Sequence, residues 1–347
     1  MGCTDQPFCN DLFQDMSWVI CKECGTIQLS KLIPQEILYK YSHNSGVVGG
    51  LWSKHHKAFS EFVIKCNPKS VLEIGGGHGL LSILCHQKEP GINWIMLDPN
   101  PMPSPECRAH IIKGFFNDDF SINSNFDSLV HSHFFEHLYD PFSFLDGITR
   151  RFDGVSKQIF SIPNLGKMIK NKYTNCINFE HTFFFDDSIL ERLLSRTGWE
   201  VLAKENFLED HSIFYMIGKT ERKIVDMPNR FQENDLQFRD YVLYHSSLIE
   251  SINKAVSISN NPVFMFGAHV FSQFLLSFGL REDSIVALLD NDIDKQGKRL
   301  SGTNLIVKNP IVLKDYDEPL VILHAGVYNN EIRSQIISSI NPNTKFI

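Results

Sequence analysis

The stretch K-S-V-L-E-I-G-G-G-H-G-L-L-S, residues 69–82, decides the fold class. Val71 to Ile74 is a short apolar run that ends in a glycine turn, the pattern of a buried strand. A helix is expected to begin at Leu80. Strand, tight turn and helix in direct succession open a parallel α/β unit. Reading outward, strands are expected over 92–98, 110–116, 126–132 and 158–163. Helices over 141–152 and 186–196 alternate with them, and 199–207 and 211–219 read as a closing pair of strands. Such alternation gives a parallel sheet with helices on both faces.

A glycine-rich turn after a first strand lets a cofactor approach the backbone closely. Dinucleotide sites hold a pyrophosphate on the helix N-terminus through G-x-G-x-x-G. Here Gly75, Gly77 and Gly79 stand in a G-x-G-x-G pattern, and Glu73 lies in the strand end. S-adenosylmethionine (SAM) has no phosphate, so the third glycine need not hold the dinucleotide position. It carries an ammonium group, so an acid near the loop is useful. Asp98 closes the next strand, where a carboxylate can accept both ribose hydroxyls. A generic α/β turn with a solvated Asp is the bland alternative. The loop, Glu73 and Asp98 on successive strands favour SAM over that alternative and over a dinucleotide. Phe116 and Ser132, at the ends of the next two strands, are counted as cofactor-binding, with His131 and His133 beside Ser132 at the cofactor's amino-acid end.

With 347 residues the chain has room for two domains and a small third. Apolar residues make up 43% and charged residues 21%, the balance of a soluble globular protein. The 28 phenylalanines predict aromatic-rich cores. A net charge of −7 argues against nucleic acid as the main partner, since backbone binding needs a basic surface. No run approaches the ~20 apolar residues of a membrane span, and M-G-C-T-D-Q has no signal-peptide pattern. A cytoplasmic setting with reduced cysteines is therefore expected.

Four of the 8 cysteines, Cys3, Cys9, Cys21 and Cys24, fall in the first thirty residues. C-K-E-C-G has the shape of a zinc knuckle, whereas Cys3 and Cys9 are irregularly spaced. The four together are the expected ligands of a structural zinc; the alternative is reduced thiols in a turn. After residue 260 the strand-turn-helix theme restarts at 261–271, 284–292 and 319–326. The expected division is an N-terminal segment 1–50, a class I SAM-dependent domain 51–220 and a smaller Rossmann-like α/β domain 221–347.

The sequence spells Phe-Glu-His twice. The first, in H-S-H-F-F-E-H-L, also makes the H-x-x-E-H of an inverted zinc protease with His133, Glu136 and His137. That reading needs both histidines on one helix face, but His133 is expected at a strand end, over the sheet edge where ligands bind. The second, Glu180-His181, lies among phenylalanines in a long insertion, 165–185. Poor solvation there would move a His pKa down and a Glu pKa up, toward useful acid-base values; a structural ion pair is the alternative.

V-L-E-I-G-G-G-H-G-L-L, F-E-H-L-Y-D-P, N-F-E-H-T-F-F-F and the tail L-L-D-N-D-I-D-K-Q-G-K-R-L-S-G-T resemble the SAM-dependent sugar C-methyltransferase family over almost the whole chain. That resemblance implies a zinc-binding N-terminus, a class I methyltransferase domain and a Rossmann-like C-terminal domain that docks the substrate. It implies transfer of a methyl group to a carbon of a nucleotide-linked keto-deoxysugar. His181 oriented by Glu180, with His137, is then the expected catalytic group. His43 and Asn178 stand near positions where the family often carries tyrosines, so His43 joins the catalytic set. Transfer to a sugar hydroxyl is the alternative; an NAD-dependent oxidoreductase and a non-catalytic SAM-binding protein are the other classes.

Overall fold

The computed structural model describes residues 2–39, 49–117 and 119–347. The chain divides into two compact units. The larger comprises Trp18–Lys167 and Phe179–Asn234; the smaller comprises Met1–Ser17, Met168–Asn178 and Asp235–Ile347.

The larger unit is built on seven strands. These are β1 (Ser70–Ile74), β2 (Asn93–Asp98), β3 (His110–Lys113), β4 (Ser128–Ser132), β5 (Lys157–Pro163), β6 (Trp199–Phe207) and β7 (Ser212–Lys219). Their order across the sheet is β6-β7-β5-β4-β1-β2-β3. The first five are mutually parallel, and β7 runs antiparallel between β5 and β6. This is a doubly wound sheet, whose crevice lies at the carboxyl ends of the strands where the order reverses beside β1. Val71, Leu72, Leu129, Val130, Ile159 and Phe160 are all fully buried, which is why the central strands read as unbroken apolar runs. The third strand stops at Lys113, earlier than expected, where the chain bends at Gly114 after a last ladder bond from its N–H to the Asp98 carbonyl over 3.0 Å.

Helix α1 (Gly50–Lys65) buries His55, Phe59, Phe62 and Val63, one stripe at helical spacing. Helix α2 (Leu80–Lys88) follows the glycine loop. Helix α3 (Pro141–Arg151) is capped by Asp140, and α4 (Asp187–Thr197) by Asp186 and a left-handed Gly198. Caps of this kind are worth about 1 kcal/mol each.

A three-stranded antiparallel sheet escaped the sequence reading. It joins Trp18–Ile20, Ile27–Leu29 and Phe183–Phe184. Cys21 to Gly25 forms the turn of its hairpin, and Gly25 at φ +82° passes so close to the Arg230 backbone that a Cβ would lie 2.5 Å from it.

In the smaller unit, β8 (Val263–Phe266), β9 (Ala287–Leu289), β10 (Val307–Lys308), β11 (Leu320–Ile322) and β12 (Lys345–Phe346) form an all-parallel sheet ordered β10-β9-β8-β11-β12. Part of the insertion, Met168–Asn178, packs with this unit. The Tyr241 hydroxyl donates to the Tyr173 carbonyl over 2.7 Å, and the Thr174 hydroxyl donates to the His324 carbonyl over 2.6 Å. One long helix, Phe231–Ser257, precedes these strands in the chain. Among the described residues no helix is long and apolar enough to cross a membrane.

Candidate active site

Gly75, Gly77 and Gly79 have φ of 75°, 52° and 73°, the left-handed region that glycine enters without a Cβ penalty. The loop is closed on its inner side. A Cβ at Gly76 would lie 2.4 Å from Met96 Sδ, and one at Gly79 2.4 Å from Cys107 Sγ. At Gly75 and Gly77 a Cβ would meet nothing within 4 Å, so the outer rim is open to a ligand. Asp98 anchors the loop: its Oδ2 accepts the Gly77 N–H at 3.0 Å and its Oδ1 the Asn100 N–H at 2.7 Å. Each carboxylate oxygen retains a lone pair for a ribose hydroxyl.

Glu73 is placed differently from the expectation of an acid at the loop rim. It is buried, accepts from Trp94 Nε1 at 2.7 Å, and its pKa is pushed up to about 7 by burial. Phe116 packs in an aromatic cluster, with ring centroids 5.4 Å from Phe120 and 5.5 Å from Phe144. Ser132 ends β4, half-buried, on the carboxyl edge. His131 belongs to the core instead of the cofactor's amino-acid end. It is fully buried and stacked 4.9 Å from Phe160, and burial holds its pKa near 3, so it is neutral.

After β4 the chain makes a sharp turn. His133 has φ +50°, and Phe135–His137 form a single 3-10 turn. The H-x-x-E-H residues therefore do not share a helix, and the geometry of an inverted zinc protease is not formed. The turn instead places Glu136, His137 and His181 together, one ligand atom of each within 4.8 Å of the others. Glu136 Oε1 lies 3.8 Å from His137 Nε2 and 3.5 Å from His133 Nδ1. Glu136 is fully buried; that burial, with the charge of Glu180 added, pushes its pKa up to about 8. It is thus protonated at neutral pH and can donate a hydrogen bond. The Tyr39 hydroxyl lies 3.2 Å from His137 Nδ1, and the Asn100 amide holds the Tyr39 carbonyl at 2.7 Å.

Glu136 and Tyr39 are the members that sequence reasoning missed. Glu136 had a signal, since it stands in the first Phe-Glu-His as Glu180 does in the second. Tyr39 had none. Glu180 itself is buried. Asn178 belongs to the smaller unit, where its side-chain amide donates to the Asn175 carbonyl at 3.2 Å. His43 lies outside the described residues.

The expected zinc set is divided. Cys21 and Cys24 belong to the larger unit, and Cys3 and Cys9 to the smaller. Burial works to raise the Cys21 thiol pKa, but the backbone N–H groups of Glu23 and Cys24 outweigh it and the pKa is lowered, which suits a thiolate. Cys3 is the opposite case: burial pushes it up to about 11, and its thiol donates to the Ala268 carbonyl. Among the described residues, no group of three close metal-ligating side chains contains a cysteine. Two thiolates make half of a closed zinc site.

The family described as a methyltransferase domain matches residues 50–204. No curated protein matches the chain. Among solved structures, the plantazolicin methyltransferase BpumL, crystallised with a desmethyl plantazolicin analogue and SAH, is 14% identical. The match covers 49% of this chain and 84% of that one, with a TM-score of 0.37. The mitomycin 7-O-methyltransferase MmcR is 15% identical over 49% of this chain and 56% of its own, with a TM-score of 0.40. A putative SAM-dependent methyltransferase from Listeria monocytogenes is 13% identical over 47% and 99%, with a TM-score of 0.36. The family match identifies residues 50–204 as a methyltransferase domain, and the doubly wound strand order there is that of a class I SAM-dependent methyltransferase fold.

Proposed function

We propose that the enzyme transfers a methyl group from SAM to a carbon of a nucleotide-linked keto-deoxysugar, with His181 as the base. The observation that carries this reading is the gathering of Glu136, His137 and His181, with the Tyr39 hydroxyl on His137. A hydroxyl acceptor needs one base. A carbon beside a carbonyl needs a base and also donors that hold the enolate oxygen. A pair of histidines backed by a protonated carboxyl and a phenol suits the second task. The nucleotide link rests on the sequence resemblance alone.

In this reading SAM supplies the electrophilic methyl on its sulfonium. Asp98 takes the ribose hydroxyls, and the open rim at Gly75 and Gly77 admits the cofactor against the backbone. His181 removes the proton from the ring carbon beside the ketone. The electron pair of that C–H bond moves toward the ketone oxygen, which His137 stabilises. Glu136 and Tyr39 fix the position of His137. The smaller unit is assigned the nucleotide part of the substrate.

The test is incubation with carbon-13 methyl-labelled SAM and a nucleotide-linked keto-deoxysugar, followed by NMR of the product. A methyl group bonded to ring carbon is expected. A methoxy signal would replace this reading with transfer to a hydroxyl.

A further inference from the structure

Next to the catalytic cluster, within the same unit, lies a second group of histidines that methyl transfer does not use. His55 comes from α1, His133 from the turn after β4, and His211 from the hairpin between β6 and β7. One ring nitrogen of each lies within 4.8 Å of the others. We propose that these three imidazoles bind a single first-row divalent transition metal of the zinc class, with an oxygen from water or Ser212 in the fourth position.

Four observations converge on this site. The donors suit the ion, since imidazole nitrogens take zinc, cobalt, nickel and copper. An oxygen already stands between two of the imidazoles. Ser212 Oγ is 3.0 Å from His133 Nε2 and 2.6 Å from His211 Nδ1. The hydroxyl can donate to one of these nitrogens and accept from the other, so both ring nitrogens are turned toward one point. An ion would engage both.

The third observation is the support behind a ligand. A metal-binding imidazole usually turns its second nitrogen to a carboxyl group. His133 Nδ1 faces Glu136 Oε1 at 3.5 Å, which leaves Nε2 for the metal. Its backbone is left-handed, at φ +50°, a conformation that a non-glycine residue rarely adopts. The fourth is exclusion of solvent. The Trp52 ring lies edge-on 5.1, 4.9 and 5.3 Å from the rings of His55, His133 and His211. A tetrahedral zinc site with Zn–N bonds of about 2.0–2.1 Å sets its nitrogens about 3.4 Å apart. Rotation of the rings about χ2, a broad torsion, supplies the remaining closure. A bound ion would fasten α1, the β4 turn and the β6–β7 hairpin to one another beside Glu136.

The experiment titrates metal-free full-length enzyme with Zn²⁺ by calorimetry and with Co²⁺ by visible absorbance. One equivalent is expected, with a Tm raised by several degrees and no sulfur-to-metal charge-transfer band. His55→Gln and His211→Gln should lose that equivalent. Cys21→Ser with Cys24→Ser should keep it, as should His137→Gln and His181→Gln. Co²⁺ should quench tryptophan emission in the wild type and lose most of that effect in Trp52→Phe. Binding that survives His55→Gln and His211→Gln, or that vanishes with the cysteines, overturns the site. Should the histidine variants fail to fold, X-ray absorption of the zinc-loaded wild type decides. Nitrogen and oxygen ligands with three imidazoles are expected; sulfur ligands, or a wild type that takes up neither ion, would refute the proposal.

Discussion

Thr182 donates its backbone N–H to the carbonyl oxygen of Glu136 across 2.9 Å. The residue after the second Phe-Glu-His is thereby joined to the middle of the first. Leu29 continues the connection by donating to the Thr182 carbonyl at 2.8 Å. The small sheet through Ile27–Leu29 and Phe183–Phe184 is therefore what carries His181 to Glu136 and His137. Catalytic groups need support of this kind, because a misplacement of about 1 Å can cost on the order of 10²-fold in rate.

Glu136 gives a prediction on pH. Its folded pKa is pushed up to about 8 from an ordinary value near 4.5. Between those values the native state binds the proton and the unfolded chain does not, so stability falls as pH rises from about 4.5 through 8. In Glu136→Gln this contribution is absent. The variant should gain stability relative to wild type as the pH is raised from 5 to 9, read as the difference in urea midpoints. A constant difference would show that Glu136 is ionised in the native state.

His131 gives the opposite sign. Its folded pKa is lowered to about 3 by burial. As pH falls below about 6.5 the unfolded chain takes up a proton that the native state refuses, and stability is lost down to the folded value. His131→Phe keeps an aromatic ring against Phe160 and removes the titration. Relative to wild type it should gain stability from pH 7 to pH 4. An unchanged difference across that range would place His131 in contact with solvent.

Asp98→Ala removes the acceptor for the Gly77 and Asn100 amides and the proposed acceptor for both ribose hydroxyls. A charged hydrogen bond is worth about 1.5–3 kcal/mol, so SAH affinity should fall by roughly tenfold to more than a hundredfold. Calorimetry that finds the affinity unchanged would remove Asp98 from the site.

Gly79→Ala meets two obstacles. The φ of +73° costs a residue with a Cβ about 1–2 kcal/mol, and the new atom would stand 2.4 Å from Cys107 Sγ. The variant should lower both the urea midpoint and SAH affinity. Gly79→Ala with Cys107→Ser, which puts a smaller atom opposite, should recover part of the loss; no recovery would assign the whole effect to backbone strain.

Much of the fold was legible in the sequence because its central strands are buried on both faces. Val71 to Ile74 could be little else between a polar approach and a glycine turn. The same burial hid the direction of side chains: in β4 Ser128 to His131 are all buried, so alternation could not show that His131 faces the core. The small sheet was invisible because Phe183–Phe184 is a two-residue strand whose partner, Ile27, is distant in sequence. The two Phe-Glu-His segments looked equivalent, and only tertiary neighbours reveal that Glu136 is the carboxyl grouped with both histidines. Tyr39 reaches His137 across the fold, which no local spacing records.

The central claim is that His181 takes a proton from a ring carbon, and it can be measured without methyl transfer. Wild-type enzyme is incubated with a nucleotide-linked keto-deoxysugar in D₂O, with SAH in place of SAM, and the ring proton beside the ketone is followed by NMR. The account predicts exchange for deuterium in the wild type. It predicts loss of that exchange in His181→Ala, with turnover slowed about 10²–10⁴-fold and SAH affinity close to wild type. Exchange at the wild-type rate in His181→Ala would contradict the assignment of the base. No exchange in a wild type that methylates the same sugar would contradict carbon transfer itself.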